Sequence, residues 1–414
     1  MKSGDILSIF SEFLNTLHYS GKNVQRFMLC VFINGLVMSA LSVMLGIYYS
    51  NIGLSEFAIG NLLSIRTFGN SIGAFFAIFL VQTFGTKRSL YVSFSTMILS
   101  GMLFTNITFM PVMQVASFFF GVCQAIFAVV QAPFYKSHSD DKNVVAVFSA
   151  SFVLTNIAMF SGSFLFGIFS DIFAGMGGAV FGSKMVLNIS FVLLVINLVT
   201  LSRIEFDMEL NNSRKGSKFK DYLSILNRDS MLYMLKTALI GLGAGLIVPF
   251  FSVYIKHSLN TTDSVVGTIM AFAQFGTVLG GLLTPILSRR LGRVKFVLIC
   301  QLMSIPFLIS ISFPQGAFIM ATSFFFRNSL MNMANPVLQS MAMDLVEEKH
   351  RTVMSSIFTL CDNLLRAVGT QAGGIIMMAI SYNTPYYITV VLYLLSAVLI
   401  YCVFGRNEKF RNLR

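Results

Sequence analysis

The chain of 414 residues has no tryptophan, only 17 acidic residues, and a charged fraction of 11%. A water-soluble domain carries about 25% charged residues. A surface so poor in charge would be apolar over most of its area, which hydrocarbon tolerates and water does not. Without tryptophan, any aromatic belt or cation cage falls to the 13 tyrosines and 43 phenylalanines. The five cysteines, Cys30, Cys123, Cys300, Cys361 and Cys402, lie inside apolar runs with no metal spacing and no disulfide framework. They read as small buried hydrophobes. None of His18, His138, His257 and His350 is deep in an apolar run, which argues against a histidine proton relay. No zinc motif, nucleophile elbow or nucleotide loop is present, and Gly241, Gly243 and Gly245 sit in an apolar run where a phosphate loop has no strand to follow. An enzyme is not expected, nor a cofactor, nor an ATP-driven pump.

What the sequence does hold is 55% hydrophobic residues and a mean hydropathy of +0.76. Apolar runs of membrane-spanning length alternate with short connections, and twelve are predicted: 27–50, 57–80, 89–108, 111–134, 144–170, 183–202, 231–255, 264–288, 294–312, 316–343, 352–379 and 385–404. The net charge of +12 does not signal nucleic acid, because the bases gather at the ends of runs. Of 29 lysines and arginines, 23 fall in the two tails, in the even-numbered connections or, for Lys295, in the first turn after one. Lys184 and Lys256 lie on the other side, and Arg66, Lys236, Arg327 and Arg366 inside spans. That asymmetry places both termini in the cytoplasm of a multi-pass inner or plasma membrane protein. The expected division is a cytoplasmic segment at 1–24, six helices over 25–202, a polar linker at 203–230, six more helices over 231–404, and a basic tail at 405–414.

The halves overlay at one offset of 207 residues without gaps. Glu56, Gly60, Phe68, Gly69, Gly73 and Gly85 fall on Asp263, Gly267, Phe275, Gly276, Gly280 and Gly292. Ser149, Asn156, Gly162 and Gly167 fall on Ser356, Asn363, Gly369 and Gly374. Glycine is 31 of 414 residues, so repeated glycine coincidences at one offset do not arise by accident. A six-span repeat is even, so the copies run parallel, as two halves rocking around a shared substrate require. Gly69 with Gly73, and Gly276 with Gly280, are spaced for close helix contact, whether for packing alone or between moving helices.

Over nearly its whole length the chain resembles the major facilitator superfamily. That family carries a basic loop between its second and third helices, often repeated between the eighth and ninth. The loops here run from Val81 to Arg88 and from Leu287 to Lys295. Gly85 and Gly292 match the loop glycine, and Lys87, Arg88, Arg290 and Arg293 supply its bases. Gln82 and Arg289 stand where the family's loop has an acid, so the carboxylate that helps latch one conformation in the family is missing from both copies. Ile78 and Pro285 take the place of the leading glycine. The resemblance implies an all-α polytopic fold of two parallel six-helix bundles with pseudo-two-fold symmetry, working as a monomer in membrane lipid.

Arg66, Arg327 and Arg366 lie near the middle of spans, where a guanidinium facing lipid is costly. Each is a candidate substrate contact or a satisfied packing residue. Lys236, one turn into its span, reads as snorkelling. Asp362 is the deep acid, four residues before Arg366 and within reach of it. It either pairs with that arginine or carries a coupling proton. Three arginines against one acid favour an anionic or zwitterionic small organic solute, moved with a proton or counter-solute. Asn34, Gln124, Gln131, Asn156, Gln274, Asn332 and Asn363 are the polar candidates for the path, with helix joining as their other role. Pro133, Pro249 and Pro336 are expected to kink their helices. An apolar cavity for lipophilic or amphipathic compounds, and a membrane receptor that transports nothing, are the alternatives.

Overall fold

The computed structural model of the chain describes residues 21–139, 144–206, 228–313, 316–346 and 351–405. The expected segment up to residue 20, the linker over 207–227 and the tail from 406 lie outside the described residues. Among the described residues every regular element is a helix, and turns that continue a helix merge with it into twelve rods. They are α1 (Lys22–Asn51), α2 (Glu56–Phe84), α3 (Thr86–Asn106), α4 (Met110–Ser137), α5 (Val144–Gly177) and α6 (Ala179–Ser202). Then come α7 (Arg228–Leu259), α8 (Asp263–Leu291), α9 (Arg293–Ser312), α10 (Ala317–Met343), α11 (Arg351–Ala379) and α12 (Thr384–Ile400). Eight rods are long and apolar enough to cross a membrane by length and composition. The other four are α2, α3, α10 and α11. Arg66, Arg327, Asp362 and Arg366 interrupt three of them, and hydroxyl residues such as Ser89, Ser93 and Ser100 dilute α3.

Local chemistry fixes the turns. Gly85 and Gly292 each form a one-residue connection at φ 81° and 77°, a backbone shape that side-chain-bearing residues rarely adopt. Ser55 starts α2 by accepting the Ala58 N–H at 3.4 Å. Asn260 ends α7 in the left-handed region at φ 44°. Two rods are broken at matching places. In α1 the stretch Leu41–Leu45 widens to a π-helix, and in α7 the stretch Val248–Phe250 tightens to a 3₁₀ turn at Pro249.

The packing repeats with the sequence. α2 and α3 pack on α4, α1 on α5 and α6, and α3 on α6; α8 and α9 pack on α10, α7 on α11 and α12, and α9 on α12. Each contact of the first set recurs six helices later. A methyl on Gly69 or Gly73 would strike the carbonyls of Phe118 or Val122. One on Gly276 or Gly280 would strike those of Phe325 or Ser329, 207 residues on. Lipid supplies no hydrophobic drive between helices, so backbone contact through small residues holds such rods together.

Candidate functional site

Two crossings join the first six rods to the last six: α5 with α8, and α2 with α11. Both close on a glycine pair. A Cβ on Gly60 would stand 3.0 Å from Gly374 Cα, and one on Gly267 would stand 3.0 Å from Gly167 Cα. Beside them Gly46 of α1 packs on Val253 of α7, 2.6 Å from where its Cβ would be. All three approaches lie at the end that holds the α1–α2, α5–α6, α7–α8 and α11–α12 connections. Away from it the contacts thin to side chains. Gln274 Nε2 donates to Met159 Sδ at 3.4 Å, the Phe160 and Phe275 rings are 6.1 Å apart, and Gly281 meets only the Phe152 ring at 3.9 Å. α4 and α10 make no more than marginal contact with the opposite set among the described residues.

Polar groups lock the tight end. Asp171, near the end of α5, accepts the N–H groups of Asp263 and Ser264 at 3.0 and 2.9 Å, capping α8 from the other set. The Ser264 hydroxyl donates to the same carboxylate. Ser170 donates to Asp263 at 2.6 Å, and Lys256 pairs with Asp263. At the second crossing Tyr382 donates to Glu56 and stacks on His257 at 4.0 Å. Burial, with the Glu56 carboxylate adding to it, pushes the Tyr382 hydroxyl up in pKa, so it stays a donor. An amide chain runs inward from there: Gln114 Nε2 to Asn61 Oδ1 at 2.8 Å, then Asn61 Nδ2 to Gln371 Oε1 at 3.1 Å. Ser64 donates to the Ala367 carbonyl at 2.7 Å.

Below Ser64 the two helices run antiparallel with Gly60 opposite Gly374 and Ser64 opposite Ala367. That register puts Arg66 and Arg366 at one depth on the two helices. Arg66 Nη1 is buried with no hydrogen-bond partner, as is Asn34 Oδ1. Arg366 Nη2 donates to Asp362 Oδ2 at 3.1 Å, and the two side chains keep 32% and 30% of their exposure. The sequence-predicted pair thus forms, and it is open on one side. Lys236 does not snorkel: it is 5% exposed, with its ammonium 5.1 Å from the Tyr233 ring centroid.

The remaining candidates scatter. Arg327, 5% exposed, turns into the packing of α7 and α12, 5.1 Å from the Phe251 ring and 3.3 Å from the Tyr393 hydroxyl. Gln131 donates to Ser151 at 3.0 Å, between α4 and α5. Asn156 turns back on the Phe152 carbonyl at 2.8 Å. Asn332 reaches Thr277 of α8 at 3.3 Å, and Gln124 and Asn363 are half-buried. In the basic loops Lys87 donates to the Ser202 and Ile204 carbonyls at 3.2 and 2.9 Å. Arg293 pairs with Asp344 at 3.2 Å. Gln82, Gly85, Arg88, Arg289 and Arg290 are exposed and Gly292 is half-buried. Sequence reasoning passed over Asp171, Lys256, Asn61, Gln114 and Gln371. Of the polar groups at this end, only Glu56 and Asp263 were matched at the repeat offset.

The Major Facilitator Superfamily profile matches residues 27–241 and 233–413. Among solved structures, a variant of the nucleoside transporter NupG superposes with a TM-score of 0.80 at 12% identity, over 92% of this chain and 100% of that one. A bacterial homologue of the human lysosomal transporter Spinster, inward-facing and unoccupied, gives 0.73 at 12% identity over 94% and 97%. A D-xylose–proton symporter gives 0.73 at 12% identity over 92% and 98%. At such identity the likeness is one of fold. No curated protein sequence matches the chain significantly.

Proposed function

The chain belongs to the major facilitator superfamily, a family of transporters rather than enzymes, and from that premise we propose that it carries a small anionic or zwitterionic organic solute by alternating access. Twelve membrane spans in two parallel six-helix halves, related by a two-fold axis passing near Gly46 and Val253, account best for contacts that recur at an offset of 207 residues. With both termini cytoplasmic, the tight end is the outer one and the loose end opens inward. The observation that carries the solute class is Arg66 and Arg366 at one depth on facing halves, one with an unpartnered guanidinium nitrogen and the other half-exposed. A guanidinium there is affordable when a substrate carboxylate or phosphate completes its bonding. Asp362 is the group we assign to proton coupling. Protonating it adds positive charge beside Arg366, so a proton and an anion favour each other's binding.

Flux into proteoliposomes, across organic anions, zwitterions, neutral solutes and lipophilic cations, with and without a pH gradient, tests this. Uptake of one or more anions or zwitterions is expected, and its absence for every solute overturns the reading. Asp362→Asn is expected to abolish uphill uptake while sparing exchange. Unchanged uphill uptake removes Asp362 from coupling. The half-exposed Phe160 and Phe275 at the α5–α8 crossing favour a second reading, amphipathic solutes. Under it, transport survives neutralising Arg66 and Arg366.

A further inference from the structure

Lys236 is a buried cation that the reading above leaves unused. Its helix is pressed against α11 through glycine. A Cβ on Gly241 would stand 2.7 Å from the Asp362 carbonyl oxygen and 3.2 Å from Asp362 Oδ1, and one on Gly245 would strike the backbone of Arg366. No α7 side chain separates that backbone from the charge pair at these two positions. One turn before Asp362 the Phe358 ring packs 4.6 Å from Tyr233, the ring over which the Lys236 ammonium lies. Arg366 holds Asp362 Oδ2 on its own helix at 3.1 Å, and across the helix crossing the buried Lys236 ammonium lies over the Tyr233 ring that packs on Phe358. Arg66 is on α2 of the opposite half, where its backbone packs on Gly121 of α4, and Arg327 of α10 is turned away onto Phe251.

We propose that Lys236, Asp362 and Arg366 form one anion-binding unit. Lys236 offsets the charge of Asp362, which frees the half-exposed guanidinium of Arg366 to take a carboxylate or phosphate group of the solute. Lys236 is a positioning residue that touches no substrate; Asp362 aligns the guanidinium. Two cations against one carboxylate leave a single uncompensated positive charge in a low-dielectric setting, and one anionic group balances it. The unit rests on the transporter reading but fails separately from it.

Charge arithmetic supplies the test. The purified full-length chain is titrated calorimetrically at one pH with benzoate, phenyl phosphate and the neutral isostere benzamide. One or both anions are expected to bind about tenfold or more tighter than benzamide. Lys236→Met cancels the excess charge and is expected to level them. Adding Asp362→Asn to Lys236→Met restores the excess charge and the preference, and Lys236→Arg keeps it. Rescue by a second substitution separates charge balance from packing, because removing a second polar group repairs no cavity. Equal binding of the three probes, a preference kept by Lys236→Met, or a double variant that stays level each overturns the unit. Solute flux in proteoliposomes alongside any of these results leaves the transporter reading standing.

Discussion

The α5–α8 and α2–α11 crossings stand 207 residues apart in sequence and share a glycine contact of one geometry, yet different polar groups lock them. At the first, the N-terminus of α8 is capped in trans: Asp171 of the other half takes two of its backbone N–H groups. At the second, α2 begins on its own Ser55, and the halves are linked through side chains: Tyr382 to Glu56, Asn61 to Gln371, and Ser64 to the Ala367 carbonyl. A cap that belongs to the helix travels with it. A cap lent by the other half must break whenever the halves part, leaving backbone donors bare. Duplication kept the close approach, which only glycine permits, and let the charges diverge. A lent cap that breaks on opening predicts that the larger share of the resistance lies at α5–α8.

The comparison breaks first at the glycines. Gly267→Val pushes a branched side chain into Ser163 and Gly167, and Gly60→Val does the same to Thr370 and Gly374. Overpacking of this kind costs about 3 kcal/mol, roughly a hundredfold in the closed population. Proteoliposome uptake is expected to collapse equally in both variants, with outer-end cysteines more open to a membrane-impermeant maleimide. A variant that transports normally at one crossing shows that its glycine pair need not close.

The charged groups come next and should split the two crossings. Asp171→Asn removes hydrogen bonds to a charged acceptor, each worth about 1.5–3 kcal/mol. It is expected to shift the chain tenfold or more toward the outward-open form, on the order of 1.4 kcal/mol per factor of ten. A cysteine placed at Ser163 in a cysteine-free background reads this as faster labelling from outside. Glu56→Gln keeps an acceptor for the Tyr382 hydroxyl and should move labelling by no more than about threefold. Equal shifts would mean that the two locks are equivalent despite their different chemistry.

How much of this was readable beforehand follows the same division. The glycine contacts inside each half were legible, because Gly69 with Gly73 and Gly276 with Gly280 are spaced for close approach and the repeat placed them twice; Gly60, Gly167, Gly267 and Gly374 were matched at the offset, but nothing in their spacing said that they meet across the halves. All twelve apolar runs correspond to helices. Asp171 was not legible: the predicted run stops at residue 170, before the acid, but α5 continues to Gly177, so the acid stands on a helix and not in a solvated connection. Lys236 misled for a related reason. Hydropathy gives its depth in the span but not the Tyr233 face that receives its ammonium. Pro249 announced the break in α7, whereas Leu41–Leu45 in α1 carries no proline or glycine and gave no sign of its π turn. Arg327 shows that charge within a span does not reveal which way the side chain turns.

The smallest effect sharpens the contrast most. Ser55 accepts from Ala58 at 3.4 Å, a long bond within one helix. Ser55→Ala therefore costs about 0.5–1 kcal/mol, at the low end for a lost N-cap. That cost falls on inward-open and outward-open forms alike, because both keep α2 intact. Detergent melting should drop by a degree or two, while labelling at residue 163 and uptake hold their values. Asp171 on the α8 side caps one form only, so its loss must appear in the equilibrium between forms. If Ser55→Ala alters labelling at residue 163, the cap is not private to α2, and the argument from travelling and lent caps fails at its simpler crossing.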